Sequence, residues 1–169
     1  MTITDNTARQ ELLFEAYRNF YRAYERFNRI AWSNSLPDCV IRFHSRKNSR
    51  NMAFAQGSFP PQISFNMPRC LYLPESLIWM ILGHEMTHIW QYSQGRRGGH
   101  GKDFKNEMLR IGIDEKRRMI LPDTACNYIF DLNEISPISL YCSLRQISNL
   151  GELNQQEFFC MFLKNTHLK

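Results

Sequence analysis

Apolar side chains recur every three or four positions near the start of the chain, which is the spacing of one face of an α-helix. The positions are Leu13, Ala16, Tyr17, Phe20, Tyr24, Phe27, Ile30 and Ala31. Thr7 and Gln10 have the spacing of a capping box, in which two side chains satisfy free backbone N–H groups at a helix start. The pattern therefore predicts a helix that begins at Thr7 and buries one face in the core.

Three short runs with strand character follow this helix. They span residues 39 to 43 (CVIRF), 52 to 56 (MAFAQ) and 62 to 67 (QISFNM), and clusters of Asn, Ser, Gly and Pro separate them. In the third run apolar and polar residues alternate, as expected of a strand with one buried face. We therefore expect a small, mostly antiparallel three-stranded sheet.

A long helical pattern comes next, in the segment LPESLIWMILGHEMTHIWQYSQG. Pro74 suits the first turn of a helix, Glu75 suits its positive end, and Gly95 is a typical stop. The loop RRGGHG then leads to a second predicted helix, KDFKNEMLRIG, which ends at Gly112. Beyond residue 118 the pattern weakens, although residues 153 to 165 have the composition of one further helix.

Length and composition fit a single domain of residues 1 to 169, with a core from about 10 to 118 and a C-terminal extension without an assigned role. Hydrophobic residues make up 43% of the chain, and a chain of this length buries roughly two-thirds of its unfolded surface without metal or cross-links. No apolar run is long enough to cross a bilayer, and no secretory signal pattern opens the chain. We therefore expect a cytoplasmic protein with no membrane partner.

The five cysteines also limit the kinds of structure that the chain can form. Their number is odd, they are widely spaced, and none of them belongs to a C-x-x-C pair. This argues against a disulfide framework and against a zinc ribbon.

The long predicted helix carries the motif H-E-x-x-H. His84 and His88 lie four residues apart, so both imidazoles reach a single ion from one face of the helix, while Glu85 lies beside them as a base for the attacking water. Zinc takes four ligands, and a catalytic site leaves one of them to water. A third protein ligand is therefore needed. The residues leave two candidates, His100 in the glycine-rich loop and Glu107 in the next helix, and they predict one Zn²⁺ per chain.

The segments HEMTHIWQ and GHGKDF resemble those of the SprT-like metallopeptidases, a family that includes the Spartan proteases acting on proteins crosslinked to DNA. Members carry H-E-x-x-H and then a histidine in a segment similar to H-G-x-x-[FW]. The resemblance implies an α+β, zincin-like fold in which His84, His88 and His100 bind zinc and Glu85 is the general base. Many members also carry a C-x-x-C ribbon, which this chain lacks.

The activity that the resemblance implies is zinc-dependent hydrolysis of peptide bonds in protein substrates, including proteins associated with DNA. A substrate would lie extended along an edge strand and pair through its main chain, which implies low sequence specificity. Tyr72 and Tyr92 are candidates for stabilising the oxyanion, and nothing in the sequence chooses between them.

Positive charge is concentrated in the same part of the chain. Residues 40 to 118 contain 13 Lys and Arg against 6 Asp and Glu, and the candidate phosphate contacts are Arg46, Lys47, Arg96 and Arg97. Such a surface attracts nucleic acid, so DNA is an expected partner and the nucleoid an expected location. The competing interpretation is a solvated basic face. An alternative function is a non-catalytic basic module that binds nucleic acid and that zinc only stabilises.

Overall fold

A computed structural model of the protein describes residues 3–44, 50–70, 75–116 and 119–120. In chain order the elements are helix α1 (Ile3–Trp32), strands β1 (Val40–His44), β2 (Ala53–Gln56) and β3 (Gln62–Asn66), helices α2 (Met67–Cys70), α3 (Glu75–Ser93) and α4 (Lys102–Ile111), and strands β4 (Ile113–Asp114) and β5 (Met119–Ile120). The expected α+β architecture and the expected order of elements are confirmed. The helix expected over residues 153 to 165 lies outside the described residues.

The three main strands form one sheet in the order β1-β3-β2. Strands β2 and β3 are joined by a short connection and pair antiparallel, whereas β1 pairs with β3 in parallel. The sheet is therefore mixed rather than mostly antiparallel, because the alternation of apolar residues specifies a buried face but not the direction of a neighbouring strand. Strand β2 lies at an edge of the sheet and contacts α3.

Helix α1 packs against both the sheet and α3, and it begins at Ile3 rather than at Thr7. Its predicted apolar face is buried wherever the structure describes the side chains, apart from Ile30, which is half-buried. The ring of Phe20 lies 5.0 Å from that of Phe43, 4.7 Å from that of Phe65 and 5.7 Å from that of Trp79, measured between centroids. One aromatic cluster therefore joins α1, the sheet and α3.

Gly83 permits a close approach in the middle of α3. A Cβ at this position would lie 2.4 Å from Cδ1 of Ile113 in β4 and 3.4 Å from the ring of Phe27 in α1. A glycine inside a helix costs about 1 kcal/mol relative to alanine, and here it leaves room for two neighbouring elements to contact the helix directly. This contact fixes α3, which carries the H-E-x-x-H motif, against the core.

Helix α4 is held against the end of α1 by a buried carboxylate. Glu107 accepts a hydrogen bond from the indole Nε1 of Trp32 at 2.7 Å and two hydrogen bonds from the guanidinium of Arg110 at 2.7 and 2.8 Å. Arg110 also donates to the carbonyl oxygen of Ala31 at 2.7 Å. Gly112 then ends α4 in the left-handed conformation, as the sequence predicts.

Candidate metal centre

Three imidazole rings converge at one point between α3 and the loop that follows it. Nε2 of His100 lies 3.0 Å from Nε2 of His84 and 3.3 Å from Nε2 of His88. One ligand atom from each ring falls within a group no wider than 4.8 Å. Nitrogen ligands at about 2.0–2.1 Å from a tetrahedral zinc lie about 3.3–3.4 Å apart. The spacing of the three nitrogens therefore fits a single zinc ion.

Hydrogen bonds at Nδ1 of His88 and of His84 leave the Nε2 lone pair of each ring directed at the point where the three rings converge. His88 uses Nδ1 to contact Oε1 of Gln91 at 2.9 Å, and His84 uses Nδ1 to contact the carboxylate of Glu115. An amide oxygen and an ionised carboxylate only accept, so each imidazole donates through Nδ1 and keeps the lone pair of Nε2 free. Metal-binding histidines share this pattern, in which a second group fixes the tautomer.

Electrostatic effects on these groups agree with a role as ligands. Burial lowers the pKa of His88, more than the hydrogen bond to Gln91 raises it, so the ring is neutral near pH 7, as a metal ligand must be. The hydrogen bond from His84 lowers the pKa of Glu115, which keeps that carboxylate charged and able to accept.

Gln91 connects the helix that carries His88 to the loop that carries His100. This buried side chain accepts from the backbone N–H of Gly99 at 3.2 Å through Oε1 and donates to the carbonyl oxygen of Gly99 at 3.0 Å through Nε2. The same amide oxygen accepts from His88. One side chain therefore orients one imidazole and fixes the residue that precedes another.

Phe104, in the first turn of α4, forms the apolar floor of the centre. Its ring is fully buried and lies 4.9 Å from His84, 4.6 Å from His88 and 4.8 Å from His100, between centroids. Contacts with one rigid ring restrict the orientation of all three imidazoles, which favours a preformed site.

Glu85 lies next to the histidines with only 5% of its surface exposed. Its carboxylate accepts a hydrogen bond from the backbone N–H of Ala55 in β2, and burial raises the pKa to about 7, although His84 and this hydrogen bond both lower it. A cation bound at the three imidazoles would lower the pKa again. A carboxyl group that titrates near neutral pH can accept a proton and return it in one reaction cycle.

The centre opens into a cleft of about 700 Å³ between α3 and the edge strand β2. Residues 51 to 55 form one wall, and Leu77, Met80, Ile81 and Tyr92 of α3 contribute to the other. Burial and the nearby Glu85 carboxylate raise the pKa of Tyr92, so its hydroxyl keeps its proton. The histidines and Glu85 are therefore accessible to an extended molecule in this cleft.

The remaining candidate residues lie elsewhere. Glu107 is occupied by Trp32 and Arg110, and the group of possible ligands that the described residues form does not include it. Arg96 pairs with Asp103 at 2.8 Å and lies over the ring of Trp90, and Arg97 is exposed. Arg46, Lys47 and Tyr72 lie outside the described residues.

Sequence reasoning missed Gln91 and Glu115. Gln91 carries a weak signal, because its position three residues after His88 places it on the same face of the helix. Glu115 carries none, since it lies 31 residues after His84 and reaches it only through the fold.

The family model that matches the chain is that of the SprT-like family, over residues 11–124. The chain belongs to the SprT-like family. The matched range includes the three histidines, Glu85, Gln91 and Glu115. Neither the curated proteins nor the solved structures contain a match to this SprT-like chain. Among the described helices, none combines the length and the apolar character that a membrane crossing requires.

Two substitutions test whether His100 is a zinc ligand and whether Glu107 has only a structural role. We expect His100→Ala to lower zinc affinity by orders of magnitude because it removes one of three ligand nitrogens. Glu107→Ala should retain zinc but reduce the free energy of unfolding of the metal-free protein by about 2–3 kcal/mol, since it removes the ion pair with Arg110 and leaves the buried indole N–H of Trp32 unsatisfied. Competition with a chromophoric chelator measures the first effect, and urea denaturation measures the second. Loss of zinc from Glu107→Ala while that protein remains folded, together with retention of zinc by His100→Ala, would contradict this assignment.

Replacing Gln91 tests whether the link between helix and loop supports the centre. Gln91→Ala removes no ligand, yet we expect zinc affinity to fall by roughly 10–100-fold, because His88 and the loop before His100 both lose an anchor. Gln94→Ala, an exposed change one turn away, is the matched control. Equal zinc affinity in the two variants would show that the link has no effect on metal binding.

Proposed function

We propose that this SprT-like chain is a zinc-dependent endopeptidase that hydrolyses protein substrates with little sequence specificity. The observation that carries the proposal is the presence of three convergent imidazole nitrogens and a buried carboxyl group in one open cleft. Structural zinc sites are closed by four protein ligands. The group of ligands that the described residues bring together numbers three, which leaves one coordination position for water or substrate.

The chemistry follows from the neighbours of the zinc site. A zinc ion held by His84, His88 and His100 would lower the pKa of water from 15.7 towards about 7 and would polarise a carbonyl group. Glu85 takes a proton from the attacking water and passes it to the leaving amine, a double role that a carboxyl group beside the zinc site can perform. Glu115 and Gln91 hold the imidazoles in the required tautomer, and Phe104 excludes water from beneath them.

Strand β2 supplies a surface for an extended substrate. The carbonyl oxygen of Met52 accepts from the backbone N–H of Asn66 at 2.7 Å, on the β3 side of the strand. Successive residues of a strand point their backbone groups in opposite directions, and the N–H of Ala55 indeed bonds to Glu85 rather than to β3. Ala53 therefore directs its backbone groups to the cleft. A peptide that pairs there is bound through its main chain, which needs little side-chain specificity.

The alternative function, a nucleic-acid-binding module that zinc only stabilises, accounts for less of the site. A zinc ion that only stabilises the fold does not require the carboxyl group of Glu85, which is buried beside the ligands and accessible from the cleft. Burial of such a group destabilises the fold. The peptidase accounts for Glu85, the open coordination position and the edge strand together.

We also propose that DNA contacts the loop that carries His100. Arg97 and Lys102 are exposed on this loop and at the start of α4. Arg96 is less available to phosphate because Asp103 neutralises part of its charge and Trp90 covers its guanidinium. Phosphate contacts of this kind add affinity without sequence preference.

The peptidase proposal is tested by Glu85→Gln. This variant keeps the shape of the side chain and all three ligands but lacks the base, so we expect it to fold and to bind zinc as the wild type does. We expect its cleavage of unfolded β-casein to fall below detection. Glu25→Gln, which removes an exposed carboxylate from α1, should retain full activity. Turnover by Glu85→Gln close to that of the wild type would contradict the mechanism.

Binding to DNA is tested with labelled single- and double-stranded oligonucleotides at several salt concentrations. Affinity should decrease steeply as salt rises. Arg97→Glu should weaken binding more than Arg96→Glu, because Arg96 is already paired. Replacing Arg46, Lys47, Arg96 and Arg97 together with Glu, which reverses the charge at all four positions, should abolish binding to DNA at physiological salt. Absence of binding at low salt, or no change in the fourfold variant, would refute a role for DNA.

A further inference from the structure

The ring of Tyr92 is enclosed by two glycines at the wall of the cleft. Tyr92 follows His88 by one turn of α3, and the two rings are stacked, with centroids 6.5 Å apart. A Cβ at Gly57 would lie 2.8 Å from Cγ of Tyr92, and a Cβ at Gly98 would lie 2.5 Å from its hydroxyl oxygen. Any side chain at either position would therefore displace the ring.

Backbone conformation does not explain these two glycines. Neither Gly57 nor Gly98 has a positive φ, in contrast to Gly95 and Gly112. Gly57 follows β2 in the connection to β3, and Gly98 belongs to the loop that carries His100. The connection after β2 and the loop that carries His100 therefore both contact the ring of Tyr92. These contacts fix its hydroxyl within the cleft.

The hydroxyl of Tyr92 differs from the other tyrosine hydroxyls whose contacts the structure describes. Tyr17 and Tyr21 accept from the backbone N–H groups of Phe43 and Ile41 at 3.2 and 3.1 Å, and Tyr24 donates to the carbonyl oxygen of Pro37 at 2.6 Å. These three hydroxyls join α1 to the β1 region. Within the described residues the hydroxyl of Tyr92 makes no hydrogen bond, so it is available to a molecule in the cleft.

We propose that Tyr92 is a catalytic residue whose hydroxyl donates a hydrogen bond to the oxygen of the scissile carbonyl as negative charge develops there. The proposal rests on the peptidase function. Water oxygen bonds to the carbonyl carbon, one water proton moves to Glu85, and the π electrons of the C=O bond move to its oxygen. The proton of Tyr92 stays on Tyr92 throughout. When the C–N bond breaks, the proton on Glu85 moves to the leaving nitrogen.

Such a donor acts on the transition state rather than on the bound substrate, since the charge on the oxygen exists only after attack. Tyr92→Phe removes the hydroxyl and keeps the ring between the two glycines. We expect its zinc content and KM to match those of the wild type, while kcat on a peptide from a β-casein cleavage site falls by about 10²-fold. Tyr21→Phe, which loses a hydroxyl that accepts a hydrogen bond from the backbone of β1, should keep the wild-type kcat.

The glycines provide an independent test of position. Gly98→Ala should displace the hydroxyl and lower kcat, whereas Gly101→Ala, whose added Cβ meets nothing within 4 Å, should leave kcat unchanged. In the Tyr92→Phe background, Gly98→Ala should reduce kcat little further, because the displaced ring no longer carries the donor. Zinc content is measured for each variant, so that loss of the metal is not mistaken for loss of the donor.

A phosphinic peptide provides a readout that does not depend on turnover. Its tetrahedral centre carries anionic oxygens where the substrate would carry the oxyanion. Calorimetry should show that Tyr92→Phe weakens its binding by the same factor as kcat, while the matching substrate peptide binds equally well to Glu85→Gln with and without Tyr92→Phe.

The outcomes separate this inference from the proposed function. A wild-type protein that binds zinc but cleaves no unfolded protein contradicts the peptidase function and the role of Tyr92 with it. A wild-type peptidase whose Tyr92→Phe variant keeps its kcat, or changes only in KM, contradicts the role of Tyr92 alone.

Discussion

The contact of the Gln91 amide with His88 and with the backbone of Gly99 is the interaction that joins the two parts of the candidate metal centre. Two of the imidazoles lie on one helix, where the spacing of four residues brings them together. The third lies on a loop with glycines at 95, 98, 99 and 101, and such a loop loses much conformational entropy when it is fixed. Two hydrogen bonds between the buried Gln91 side chain and the backbone of Gly99 hold the residue before His100. Nε2 of His100 lies 3.0 and 3.3 Å from Nε2 of His84 and of His88. A buried anchor thus offsets the freedom of the loop.

Burial of Glu85, in contrast, destabilises the same site when no metal is bound. Burial raises its pKa from 4.5 to about 7, so the folded state binds this proton more tightly than the unfolded state does. The metal-free fold therefore loses stability as the pH rises through this interval. A cation at the three imidazoles favours the ionised carboxylate and reverses the effect. The fold without metal thus disfavours the ionised form of Glu85, and under the proposed function metal binding and readiness for proton transfer are linked through this one residue.

The parts of this protein that the sequence predicts are those that depend on local periodicity. The buried face of α1, the extent of α3, the αL glycine after α4 and the convergence of His84 and His88 all follow from spacing along one element. Contacts between distant segments do not. Residue types alone could not choose between His100 and Glu107, because the fold decides which of them lies near His84 and His88. His100 lies there, whereas the carboxylate of Glu107 accepts from Trp32, 75 residues earlier in the chain. The parallel pairing of β1 with β3 and the contact between Glu115 and His84 could not be predicted for the same reason, because each joins segments that are distant in the sequence.

Strand β2, the connection after it, the loop that carries His100 and helix α3 all meet at the cleft. Strand β2 borders the cleft and donates to Glu85 through Ala55, and the connection that follows it contacts one side of Tyr92 through Gly57. The loop that brings His100 to the centre contacts the same ring through Gly98. Helix α3 carries His84, His88, Glu85 and Tyr92, which are two of the candidate ligands, the proposed base and the proposed hydrogen-bond donor. A displacement of the loop, such as loss of the metal would permit, therefore moves one of the two walls that fix Tyr92. The candidate metal centre and the position of this hydroxyl are linked because both use α3 as a support, and strand β2, the proposed substrate surface, contacts the same helix.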